Sequence, residues 1–129
     1  MKIDHIAIAC NSEFDSDKFF TDLLGLKKVR KFMVSSELMV KFFGRKKEQE
    51  VIRYENENLS VEVFIINDNR EAKDIYTHSC LTVKNRDRLV EKASSMGFTV
   101  IKVPRKNSND YYLFIKDLFQ NLYEIKEEL

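Results

Sequence analysis

The chain has 129 residues, 43% of them hydrophobic and ten of them phenylalanine. That suffices for one domain with an apolar core and is too apolar for a disordered segment. Lys and Arg number 22 against 21 Asp and Glu, a net charge of +1, which gives no electrostatic reason to expect nucleic acid or a membrane surface as partner. No stretch approaches the roughly 20 apolar residues that span a bilayer, and the opening apolar run is too short for a signal peptide. Cys10 and Cys80 form no CxxC pair, so both are expected as reduced thiols in a cytoplasmic protein.

The first predicted strand is "HIAIA", with Ile6 and Ile8 on one side and His5, Ala7 and Ala9 on the other. A helix follows over "DSDKFFTDLLG", placing Phe19, Phe20, Leu23 and Leu24 on one face and ending at Gly25. Strands are then expected over "LKKVRKFMV", "EVIRYENE" and "LSVEVFII". Between the first two of these, "SSELMVKFFG" reads as a short helix capped by Ser36 and closed at Gly44. In "LSVEVFII", Val61, Val63 and Ile65 share one face and leave Glu62 and Phe64 on the other.

From His78 the same plan repeats. "HSCLTV" is a strand with Leu81 and Val83 toward its helix and His78, Cys80 and Thr82 opposite. "RDRLVEKASSMG" is that helix, burying Leu89, Val90, Ala93 and Met96 before Gly97. "FTVIKVP", "DYYLFIKD" and "NLYEIKE" are strands; in the last, Tyr123 and Ile125 oppose Leu122 and Glu124. Gly25 lies twenty residues after His5 and Gly97 nineteen after His78, so the halves align with one gap. The expectation is an α+β fold in one domain, residues 1–129, built from two βαβββ modules, residues 1–70 and 71–129, whose curved mixed sheets enclose a cleft.

Each module thus starts with an inward histidine and ends with an inward glutamate. A lone histidine beside an apolar run is usually structural, and a lone strand glutamate usually faces solvent. Here both histidines of the chain occupy the same place in the repeat. Inward carboxylates need a cation or strong donors. Two imidazoles and two carboxylates, His5, Glu62, His78 and Glu124, suit one divalent ion such as Ni, Co or Zn, with Mn possible. Cys80 shares the face of His78 and is expected as a small buried thiol. Phe64, Tyr111 and Tyr112 are candidate cleft aromatics, with core or sheet surface as the commoner role. Arg53, Lys102, Arg105 and Lys106 could meet an anionic substrate tail, although solvation is the ordinary use of such side chains.

"HIAIA" with "FFTDLLGLK", and "FIKDLFQNLYEIKE" at the end, resemble the vicinal-oxygen-chelate superfamily, the glyoxalase and bleomycin-resistance fold, over essentially the whole chain. The terminal stretch is similar to the family pattern F-x-x-D-P-x-G-N-x-x-E at Phe114, Asp117, Asn121 and Glu124. Leu118 and Gln120 replace its Pro and Gly, so a turn of different shape is expected. The resemblance implies that His5, Glu62, His78 and Glu124 hold the metal, the set used by glyoxalase I. It implies a lyase that converts a 2-oxoaldehyde hemithioacetal to a 2-hydroxyacyl thioester by enediolate proton transfer. Glu124 is the implied base, with Glu62 its counterpart. A homodimer acting on a small molecule is implied, with the site within one chain or across two. No residues match the family's glutathione-binding arginines. The alternatives are a methylmalonyl-CoA epimerase-like isomerase, whose subfamily usually has a neutral residue at the Glu62 position, and a metal-free drug-binding protein. An extradiol dioxygenase fits less well, because it uses three protein ligands where this chain offers four.

Overall fold

The structure, a computed structural model, describes residues 3–68, 70–71 and 76–129. It divides into two compact units, Met1–Arg70 and Glu71–Leu129. In the first unit, β1 (Ile6–Cys10), β2 (Lys27–Val34), β3 (Gln49–Glu55) and β4 (Ser60–Ile65) form a sheet in the order β1-β4-β3-β2. β1 runs parallel to β4 and the other pairs are antiparallel. In the second unit, β5 (His78–Val83), β6 (Thr99–Pro104), β7 (Tyr111–Lys116) and β8 (Leu122–Glu127) repeat that order as β5-β8-β7-β6. Again only the first and last strands, β5 and β8, pair in parallel. The fold class is α+β, as the sequence leads one to expect, and the repeat is one of topology as well as of text.

The helices explain the single gap between the halves. Helix α3 (Arg86–Ser95) is capped by Asn85, whose side chain accepts from Arg88 N–H. It closes at Gly97 (φ 84) with the Phe98 N–H donating to the Ala93 carbonyl, five residues back. The first helix has its cap at Ser12, which accepts from Asp15 N–H, and runs as α1 (Glu13–Ser16) before widening into a π-helix over Asp17–Leu23. It closes at Gly25 (φ 75) with Leu26 N–H donating to the Phe20 carbonyl, six residues back. Ser12 and Asn85 stand seven residues after His5 and His78 respectively. The surplus residue therefore lies inside the helix, where π geometry absorbs one extra residue per turn. The regular helix expected over this segment is corrected accordingly.

Phe19, Phe20 and Leu23 remain buried, and full burial of such side chains contributes about 1.5–3 kcal/mol each. The Phe20 ring lies 5.2 Å from that of Tyr54, which with Ile52, Val61, Val63 and Ile65 forms the helix-side face of the sheet, all buried. In the second unit Ala93, Phe98, Leu113, Ile115, Tyr123 and Ile125 are buried. The remaining helix, α2 (Ser36–Phe43), takes its N-cap from Ser35, whose hydroxyl accepts from Leu38 N–H. Ser36 is thus the first helical residue and not the cap. Only Ser35 has the extended backbone, ψ 153, that turns a cap hydroxyl onto the first turn.

Tyr54 Oη donates to Asp17 Oδ1 at 2.7 Å, and burial together with that acceptor pushes the phenol's pKa up. The unfolded phenol titrates near 10; the folded one holds its proton beyond that. Stability is therefore expected to fall as pH rises above about 10, because the unfolded state alone releases a proton there. Tyr54→Phe should remove this alkaline slope and cost about 1 kcal/mol at neutral pH. Urea unfolding at several pH values checks both.

Candidate metal centre

Strand alternation delivers each pair of predicted ligands to one face. In the first unit His5 stands immediately before β1, and Glu62 on β4 is paired in register with Ala7. His5 Nε2 is 3.5 Å from Glu62 Oε1. In the second unit His78 begins β5, and Glu124 on β8 is paired with Cys80. His78 Nε2 is 3.6 Å from Glu124 Oε2. The four side chains are partly buried, both histidines 37% exposed, Glu62 17% and Glu124 21%. The faces are as expected. What the structure assembles is two pairs. Among the described residues no three His, Cys, Asp or Glu side chains gather where they could hold an ion.

The donor chemistry of each pair fits half a metal site. A separation of 3.5–3.6 Å exceeds a hydrogen bond, whereas two ligands each about 2.0–2.2 Å from one ion stand about 3.0–3.5 Å apart. The other ring nitrogen of each histidine is already spent. His5 Nδ1 donates to Asp4 Oδ2 at 2.8 Å, and His78 Nδ1 donates to the Tyr76 carbonyl at 2.8 Å. A proton on Nδ1 leaves the neutral ring's lone pair on Nε2, facing the carboxylate. Metal-ligating histidines are oriented in this way by a carboxylate or carbonyl behind the ring.

The pairs differ in what surrounds their carboxylates. Arg53 is the cross-strand neighbour of Glu62, and its Nη1 donates to Glu62 Oε2 at 3.0 Å. It also reaches Asp4 at 3.4 Å and Glu55 at 3.2 Å. Hydrogen bonds from His5, then the Arg53 charge, hold the Asp4 carboxyl below its ordinary pKa. Phe114 holds the equivalent position beside Glu124, and its ring meets that of His78 edge-on at 5.7 Å. Among the described residues His78 is the only ion-pair partner of Glu124. Asp4 and Arg53 contact the candidate ligands His5 and Glu62, a placement that sequence reasoning missed. The signal for Arg53 lay in the tight connection between β3 and β4. Asn56 Oδ1 accepts from Asn58 and Leu59 N–H, and that turn sets Arg53 opposite Glu62.

Two neighbouring expectations need correction, the buried thiol at Cys80 and the cleft aromatic at Tyr111. Cys80 is exposed, while Cys10 is buried; β5 is an edge strand, and its alternate positions are open. Tyr111 lies on the helix side of its sheet, between the Arg86 guanidinium at 3.9 Å and Lys102 at 4.0 Å, because it is out of step with Phe114 and Glu124. Tyr112 is in step with them and carries Arg105 over its ring at 4.1 Å. Phe64 shares the Glu62 face and meets Phe43 of α2 at 5.6 Å. Lys106 is exposed.

The turn before Glu124 is built around Asp117. Asp117, 3% exposed, accepts from Phe119 and Asn121 N–H on Oδ1 at 2.9 and 3.0 Å. Its Oδ2 accepts from Asn121 Nδ2 and Tyr123 Oη at 2.8 and 3.0 Å. Burial raises its pKa against these donors, which pull it down. Gln120 takes φ 70, the left-handed conformation that glycine adopts freely. Gln120→Gly is expected to stabilise the protein by about 0.5–1 kcal/mol, the relief of that strain less the added chain entropy; an unchanged urea midpoint would contradict it.

A family model described as the glyoxalase/bleomycin resistance protein/dioxygenase superfamily matches residues 2–125. Among solved structures, a glyoxalase family protein from Bacillus cereus superposes with a TM-score of 0.76 at 20% identity, covering 100% of this chain and 95% of that one. The fosfomycin resistance protein FosX from Listeria monocytogenes superposes at 0.72 with 12% identity, covering 100% and 94%. A variant of that FosX, complexed with Mn(II) and 1S,2S-dihydroxypropylphosphonic acid, superposes at 0.71 with 11% identity, covering 97% and 88%. At these identities the likeness is one of fold. A search of curated proteins gives no match. No helix among the described residues is long and apolar enough to cross a membrane.

Proposed function

Because the chain belongs to the glyoxalase/bleomycin resistance protein/dioxygenase superfamily, we propose that it is a divalent-metal-dependent lyase of the glyoxalase I kind. His5, Glu62, His78 and Glu124 jointly hold one ion, Ni, Co, Zn or Mn, within one chain or across a homodimer. The observation that carries this reading is the repeated arrangement in which Nδ1 is anchored and Nε2 is turned to a carboxylate oxygen at 3.5 or 3.6 Å. An ion held by these residues would supply Lewis acidity for the negative charge that develops on the substrate.

The chain's own contribution is a proton carrier and its placement. Glu124 takes the proton from the carbon beside the substrate carbonyl and returns it to the neighbouring carbon, so that a hemithioacetal of a 2-oxoaldehyde becomes a 2-hydroxyacyl thioester. The surroundings favour Glu124 over Glu62. Among the described residues Glu124 lies beside Phe114 with no guanidinium on either oxygen, whereas Glu62 has one oxygen occupied by Arg53. Glu62 is accordingly a ligand first. Methylglyoxal with glutathione, assayed after loading with Ni(II), Zn(II) or Mn(II), tests the reading. Thioester formation supports it, and none with any of the three ions overturns it.

Arg53 also favours a second reading. A Glu62 neutralised by a guanidinium approaches the neutral residue usual in acyl-CoA epimerases of this superfamily. Exchange of the α-hydrogen of methylmalonyl-CoA in deuterated water, without thioester formation from methylglyoxal, would select it. Metal-free purified protein that takes up no ion would instead select a binding protein on the same scaffold.

A further inference from the structure

We propose that Arg53 is a positioning residue for the first unit's metal ligands, an inference that rests on the metal-site reading above. The contacts form a closed ring. His5 Nδ1 donates to Asp4 at 2.8 Å, Asp4 accepts from Arg53 at 3.4 Å, Arg53 donates to Glu62 Oε2 at 3.0 Å, and Glu62 Oε1 returns to within 3.5 Å of His5 Nε2. The guanidinium is itself steadied from behind. Its Nε donates to Glu55 at 3.2 Å, and Ser60 Oγ donates to the same Glu55 oxygen at 2.9 Å.

Three consequences follow for metal binding. Glu62 Oε2 is engaged, so Oε1 is the oxygen left for an ion. Asp4 is 78% exposed and precedes β1, so its place behind His5 depends on the guanidinium that holds it. Asp4, Glu55 and Glu62 also crowd three carboxylates around this one arginine, and without it they repel one another. The planar fork is what spans the three at once; a lysine ammonium carries the charge but not the fork. Among the described residues the second unit shows no counterpart, since Phe114 stands in that place and the Tyr76 backbone carbonyl supports His78.

The opposite expectation is that a guanidinium on Glu62 competes with the ion and that removing it tightens binding. The ring argues against this, because losing Arg53 loosens both candidate ligands at once. Titration with Mn(II), following the signal of the free ion by electron paramagnetic resonance, decides between them for wild type, Arg53→Met, Arg53→Lys and Arg30→Met. Arg30 is the cross-strand neighbour of Arg53 on β2 and lies 4.4 Å over Phe32, so its variant removes a nearby charge without touching the ring. Both Arg53 variants should bind Mn(II) about 10–100-fold more weakly, with urea midpoints close to wild type, and Arg30→Met should bind as wild type does. Binding by Arg53→Met at or above wild-type strength, or full recovery in Arg53→Lys, overturns the proposal while the metal site stands. Absence of Mn(II), Ni(II) and Zn(II) binding by wild type overturns both.

Discussion

Glu124→Gln is expected to lower thioester formation by about 10²–10⁴-fold, the range a positioned proton carrier contributes. The amide is nearly isosteric, so the strand and the pairing of Glu124 with Cys80 and Phe114 should survive. What disappears is the ability to accept a proton. Glu62→Gln should act differently, since Glu62 shares its charge with Arg53 at 3.0 Å and is proposed mainly as a ligand. Its deficit should shrink when the metal concentration is raised, whereas that of Glu124→Gln should persist at saturating metal. Rates measured across a metal titration separate the two. Equal and fully metal-rescued deficits would show that neither carboxylate moves the proton.

The largest stability effect is expected at Asp117. Four donors converge on a carboxylate that is 3% exposed, and Asp117→Ala removes the acceptor they share. Each buried group so stranded costs about 1–3 kcal/mol, with partial relief by relaxation and entering water. We expect a total loss of about 3 kcal/mol or more, read as a fall in the urea midpoint. Function should suffer beyond that loss. Tyr123, which donates to Asp117, is the residue before Glu124, and Asp117 N–H bonds the Asn121 carbonyl across the turn at 3.1 Å. A change under about 1 kcal/mol would mean that the backbone alone sets this turn.

Much of this arrangement was legible in the sequence because strand parity is a strict rule. A histidine one step before Ile6 and a glutamate between Val61 and Val63 can only share the face away from the helix, once the valines are buried. The same reasoning placed His78 and Glu124. The one-residue mismatch between halves was visible too, although not its form; a π-helical stretch and a longer loop give the same spacing. Cross-strand register was the harder matter. Arg53 reads as one of many surface cations until the β3–β4 turn places it against Glu62, and Asp4 reads as a terminal charge until Arg53 draws it behind His5. Tyr111 shows the converse error, since its parity against Phe114 already placed it on the helix side. At Gln120 the sequence alone left the shape of the turn open. Glycine makes the left-handed conformation cheap, but the four bonds to Asp117 hold the turn without it.

We propose above that His5, Glu62, His78 and Glu124 hold one metal ion. The most direct measurement is the metal content of protein loaded with Mn(II), Ni(II) or Zn(II) and freed of excess ion, for wild type, His5→Ala and His78→Ala. The account predicts one ion per four-donor set in wild type and loss of that ion in either variant, although the two histidines belong to different units. Retention of a full complement of metal by either variant, or no metal in the wild type, would contradict it.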